Sequence, residues 1–126
     1  MPSKLLRLKK RTDFLRISGK RCSNVCAGFI IQADVTPKPK NSLNVIKPAP
    51  RVGFTVSKKV GNAVKRNFVK RRLRALADNL IRDEFYNGLD YVIIGRKEAI
   101  VMPFAVLKSD FQKSLKIVSK KVKDNM

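Results

Sequence analysis

The sequence predicts an α+β fold, a two-layer sandwich in which helices pack on a sheet, and three observations lead there. Apolar periodicity changes along the chain in the order helix, strand, optional short strand, strand, helix, strand, helix. A length of 126 residues and a hydrophobic fraction of 44% suit one domain over residues 1–126. Such a domain buries roughly 65–70% of its unfolded surface without staples. Finally, the helix expected after Asn62 carries an apolar side, Val69, Leu73, Leu76 and Leu80, that requires a sheet to pack on. There are no internal repeats.

Residues 1–11 read as a mobile basic arm, and they lack the apolar core of a signal peptide. Thr12 is the expected N-cap of a short helix over residues 13–18, with Asp13 at the positive helix end and Gly19 as the stop. Residues 20–24 read as a polar connection and residues 25–33 as a strand, with Phe29 and Ile31 on one face and Ile30 and Gln32 on the other. The polar Gln32 marks its face as open. Pro37, Pro39, Pro48 and Pro50 make residues 34–50 a long connection, with room for one short edge strand near residues 43–46.

Residues 51–56 are a strand that leads into Ser57, Lys58 and Lys59. Asn62 is the expected N-cap of a helix running to about residue 86, with Asn87 and Gly88 as its exit. Residues 90–95 read as a buried strand followed by Arg96 and Lys97, and Pro103 precedes a last helix. Leu107, Phe111, Leu115, Val118 and Val122 share one face of that helix, and its lysines read as solvated.

Charge is the outlier: 29 Lys plus Arg against 9 Asp plus Glu give a net +20 and a pI of about 10.7. Residues 57–74 hold eight cations (Lys58, Lys59, Lys65, Arg66, Lys70, Arg71, Arg72, Arg74) and no acid. At roughly 100° per residue, Arg66, Lys70, Arg74, Asn67 and Arg71 fall on one arc of roughly 140°. Like charges at i,i+4 are mildly destabilising alone, so the pattern points to a polyphosphate partner whose counterions such a face releases. Nucleic acid is the expected partner. No acid lies between Asp34 and Asp78, an interval with twelve cations.

Several function classes drop out. Histidine is absent, which removes imidazole acid–base chemistry. The nine acids are scattered, which is a poor basis for a metal-dependent nuclease. No catalytic residue and no protein metal ligand is therefore assigned. Cys22 and Cys26 have no further nitrogen or sulfur partners for a zinc site and read as reduced thiols. No stretch approaches the roughly 18 apolar residues of a membrane span, and the expected location is the cytoplasm. Phe14 stays open between a core aromatic and a base-stacking surface.

Residues 57–74 resemble the protein subunit of bacterial ribonuclease P. The matching pattern is Ser57, Lys58, Lys59, Gly61, Asn62, Ala63, Val64, Arg66, Asn67, Lys70, Arg71 and Arg74, supported by the Lys-Lys-x-x-Asp-Phe stretch ending at Phe14 and by the Asp-Tyr-x-Ile-Ile-x-Arg-Lys segment ending at Lys97. The one departure is Phe68, where the family usually carries Arg or Lys, and a lost peripheral contact is expected there. The resemblance implies an αβββαβα sandwich with a mixed sheet and an unusual left-handed βαβ crossover. Strand–helix–strand units with parallel strands are otherwise right-handed by default.

It also implies that the nucleic acid is RNA and not DNA, with an RNA-binding set (Lys58, Lys59, Gly61, Asn62, Arg66, Asn67, Lys70, Arg71, Arg74) for ribonuclease P RNA. Phe14, Gln32 and Ser57 with Lys58 would form a cleft for the 5′ leader of precursor tRNA, and Arg96 and Lys97 would add charge nearby. The implied activity is the endonucleolytic removal of that leader, with the RNA as catalyst and Mg2+ bound mainly by RNA.

Overall fold

In the computed structural model, which describes residues 5–19, 22–37, 48–80 and 84–124, a five-stranded mixed sheet organises the chain. The elements are β1 (Leu6–Arg7), α1 (Arg11–Ser18), β2 (Ser23–Val25), β3 (Phe29–Val35), β4 (Arg51–Val56), α2 (Ala63–Ala75), β5 (Leu89–Gly95) and α3 (Phe104–Asp124). Short 3-10 turns, Lys58–Val60 and Lys97–Ile100, follow β4 and β5. The sheet order is β1-β4-β5-β3-β2. β1, β4 and β5 are parallel, whereas β3 runs antiparallel to β5 and β2 antiparallel to β3.

Strand alternation divides the apolar residues between two faces. On one face Phe29, Ile31, Ala33, Tyr91 and Ile93 pack with Val69 and Leu73 of α2 and with Leu107, Phe111, Leu115 and Val118 of α3. Phe29 and Phe111 meet at 5.1 Å between ring centroids. Each such fully buried side chain contributes about 1.5–3 kcal/mol relative to exposure, so this layer supplies most of the stability. Deep in it, burial pushes the Tyr91 hydroxyl up to about 12, and the group shares a 2.8 Å hydrogen bond with Ser119. On the other face a small cluster of Leu8, Ile17, Val92, Phe14 and Ile94 seats α1.

Five sequence expectations change. The arm is not mobile over residues 5–11: Leu5 and Leu8 are buried, and Leu6 and Arg7 pair with Arg51 and Val52; residues 1–4 lie outside the described residues. α1 starts at Arg11, with Lys10 and not Thr12 at its N-cap. The connection over residues 20–24 contains β2, so the strand expected at residues 25–33 is the second arm of a hairpin and runs to Val35. The helix begun at Asn62 does not reach residue 86, because after Ala75 the backbone widens into a π-helical turn, Leu76–Leu80, and residues 84–86 are no longer α-helical. The side chain of Leu80 and the strand expected near residues 43–46 lie outside the described residues.

α1 is held to the sheet by a cluster around Asp90, which has no exposed surface. Its carboxylate accepts from Arg51 Nε at 2.9 Å and Nη2 at 2.6 Å, from Thr36 Oγ1 at 2.7 Å, and from Arg16 Nη2 at 2.5 Å. Arg16 also bonds Asp34 at 2.6 Å and the Val35 carbonyl at 3.1 Å. Burial alone would raise the Asp90 carboxyl, but the hydrogen bonds from Arg51, Thr36 and Arg16 outweigh it and hold the group below 3.8.

A depressed carboxyl stabilises the fold in full above its unfolded value and loses that contribution as pH falls through the folded value. Stability should therefore decline below pH 3.8. Asp90→Asn should cost roughly 1–3 kcal/mol at neutral pH, because it removes the charge that Arg16 and Arg51 face and replaces one accepting oxygen with a donating amide. It should also flatten the acid limb. Urea unfolding at several pH values measures both.

Candidate RNA interface

The basic block is positioned by one turn and one cap. Gly61 ends the 3-10 turn at φ 150° and ψ −160°, a backbone region that L side chains rarely adopt, and a Cβ there would stand 2.9 Å from Lys65 Cδ. Asn62 then caps α2 as expected, its Oδ1 accepting from the Lys65 N–H at 3.0 Å. Val69 and Leu73 face the sheet, and this orients the remaining arc outward. Lys58, Lys59, Asn62, Asn67, Arg71 and Arg74 are exposed, while Gly61, Arg66 and Lys70 are half-buried.

Electrostatics separate this surface from the rest of the chain. Among the described residues, four acids engage arginines away from this surface: Asp78 pairs with Arg7, and Asp13, Asp34 and Asp90 surround Arg16 and Arg51. No described acid stands within ion-pair distance of Lys58, Lys59, Arg66, Lys70 or Arg71. The first turn of α2 holds no acid either, so the helix dipole adds to an unopposed positive field.

The second surface is an open trough of about 510 Å³ on the α1 side of the sheet. Its floor follows two rungs of the sheet, Gln32–Val92–Gly53 and Ile30–Ile94–Thr55. Phe14 forms one wall. Its ring stands directly over Gly53, where an added Cβ would come 2.5 Å from Cζ. Lys9, Arg11, Leu15 and Ser18 continue the rim. Phe14 packs with Leu8, Ile17, Val92 and Ile94 and also lines the trough.

The other expected cleft residues are placed less closely. Ser57 and Lys58 are exposed and continue β4 just beyond Thr55. The Arg96 guanidinium donates to the Cys26 carbonyl at 2.9 Å, which ties it to the sheet edge, and Lys97 is exposed beside it. Lys9 and Arg11 were missed at this site because they fall in the segment read as an arm. The apolar Leu5 and Leu8 just ahead of them were the available signal. Cys22 and Cys26 stand at the two ends of β2, and burial raises the Cys26 thiol, so it stays protonated at neutral pH.

Comparison with known proteins matches residues 1–119 to the Ribonuclease P family model. The chain is 44% identical over 118 residues to the ribonuclease P protein component of Paramagnetospirillum magneticum, covering 94% of this chain and 86% of that one. It is 38% identical over 103 residues to the Bacillus cereus protein of the same name, covering 81% of each. Among solved structures, the ribonuclease P protein of Staphylococcus aureus superposes with a TM-score of 0.68 at 32% identity, covering 88% of this chain and 93% of that one. The Thermotoga maritima protein superposes with a TM-score of 0.69 at 27% identity, covering 87% and 94%.

Gly53→Ala should force the Phe14 ring and α1 off the sheet. A loss of roughly 1–3 kcal/mol in urea unfolding is expected, as for an overpacked core site.

Proposed function

This chain belongs to the ribonuclease P protein family, and from that premise we propose how its two surfaces divide the work. A ribonuclease P protein component is part of an endoribonuclease holoenzyme that processes tRNA, and its holoenzyme partner is RNA. The observation that carries the proposal is the segregation of charge and shape. The cations of α2 lie bare on one side of β4, and an apolar trough with a basic rim lies on the other.

In this reading Lys58, Lys59, Arg66, Asn67, Lys70, Arg71 and Arg74 contact phosphates of the catalytic RNA, while Gly61 and Asn62 fix the turn that presents them. Each phosphate neutralised contributes about 0.7–0.9 to the salt dependence of binding. The trough receives the 5′ leader of precursor tRNA as an extended single strand. Phe14 offers a face for one base, and Gln32 and Thr55 offer hydrogen-bonding groups along the floor. Lys9 and Arg11, with Ser57, Lys58, Arg96 and Lys97 further on, neutralise the leader backbone. Recognition then follows single-strand shape and stacking.

Holding the leader places the neighbouring scissile phosphate in the RNA active site, and the gain is positional. The chain's own donors do not fit a magnesium site. Among the described residues no three of His, Cys, Asp and Glu stand together, and the clustered acids are occupied by arginines. Magnesium is accordingly assigned to the RNA, and nothing this chain does is derived through it.

Phe14→Ala should weaken precursor tRNA binding to the holoenzyme by roughly fivefold or more, the loss of one stacked base, and leave mature tRNA binding unchanged. Phe14→Leu, which keeps the apolar packing, should behave the same way. Equal weakening of both tRNAs would refute the leader role.

A further inference from the structure

Arg72 differs from its neighbours in the basic block because the fold uses it. Its Nη1 donates to the Ala99 carbonyl at 2.7 Å in the turn before α3. Its guanidinium carbon lies 5.4 Å from the centroid of the Phe68 ring and 5.6 Å from that of Phe104, the first residue of α3. Two aromatic rings from different helices are thereby fixed around one planar cation. Both remain open to solvent, Phe68 at 39% and Phe104 at 37%. Val64, one helical turn before Phe68, and Val101, in the connection ahead of α3, are exposed as well.

By helical arithmetic at about 100° per residue, Val64, Phe68 and Arg72 follow directly on the Arg71 end of the basic arc. The apolar strip therefore continues the surface assigned above to the catalytic RNA. Phe68 also stands where the family resemblance leads one to expect a cation. A ring there gives up a phosphate contact, and joining α2 to α3 does not require leaving two ring faces in water.

We infer that Phe68 and Phe104, held by Arg72, form a stacking platform for an unpaired base of the RNA bound along α2. This rests on the assignment of the basic face to that RNA. Every base has a π face, so the platform accepts bases without reading their edges, and the guanidinium beside the rings adds a cation–π component. Exposed Lys65 and Arg71 on α2 and Lys97 across the platform are placed for the flanking phosphates. Glu98, exposed in the same turn as Lys97, disfavours phosphate there.

The test is binding of the full chain to ribonuclease P RNA over a range of salt, with urea unfolding of each free variant. Phe68→Ala and Phe68→Leu should both lose roughly 5- to 150-fold in affinity, the range for one stacked base. Their salt slope should be unchanged, because no phosphate contact is lost, and Phe68→Trp should restore binding. Arg71→Ala should lose affinity and also lower the slope by about 0.7–0.9. Full RNA affinity in Phe68→Leu and Phe104→Leu, with the Arg71→Ala effect present, would overturn the platform and leave the basic face standing. That outcome would turn the patch over to a protein partner. No effect from Arg71→Ala would remove the underlying assignment instead. A Phe68 loss accompanied by a lower slope would also overturn the platform, since the ring would then be acting through phosphate contacts.

Discussion

Asp90 has no surface in water, yet its carboxylate stays charged, and the shape of the molecule follows from how that charge is met. Removing an ion from water costs several kcal/mol unless partners and hydrogen bonds compensate. Here Arg16 comes from α1, Thr36 from the end of β3 and Arg51 from β4. These ligands tie three separate segments to one point at the start of β5. α1 is too short to be stable alone, so this tether and the small Leu8–Ile17–Val92 cluster decide where it lies. Its position sets Phe14 over Gly53, and Phe14 makes the wall of the trough.

The same cluster explains the exposed charge. A chain at net +20 has few acids to distribute, and four of the described ones pair with Arg7, Arg16 and Arg51. Among the described residues, no acid is ion-paired with the cations of α2. Self-repulsion on that helix is the cost of keeping a surface ready for a polyanion. β4 separates the two surfaces by strand alternation alone. Thr55 lines the trough, while Phe54, which also borders it, packs its ring against the main core, 5.0 Å from the Arg7 guanidinium and 6.0 Å from that of Arg74.

Features that depend on neighbouring residues were legible in the sequence. The Asn62 cap, the alternation of Phe29 and Ile31 against Ile30 and Gln32, the buried face of α3 and the bare arc of α2 all follow from local spacing. Features that depend on distant pairing were not. β1 is two residues long and exists because β4 offers it an edge. Ser23 and Asn24 have weak strand propensity, and β2 forms through its hairpin with β3 and a Lys121 bond to the Ser23 carbonyl. Asp90 could be placed in a strand, but its partners come from three other segments. The widening at Leu76–Leu80 leaves no mark in the 3.6-residue period that precedes it. At the site, Phe14 and Gln32 were found together, whereas Lys9 and Arg11 waited on the discovery that the arm is part of the sheet.

The central claim is that this chain works by holding a single-stranded leader for an RNA catalyst. The most direct measurement is cleavage of a 5′-extended precursor tRNA by a bacterial ribonuclease P RNA at low magnesium, with and without the protein. The account predicts that the protein accelerates cleavage and tightens binding of the precursor over mature tRNA. An unchanged rate with equal binding of both RNAs would contradict it.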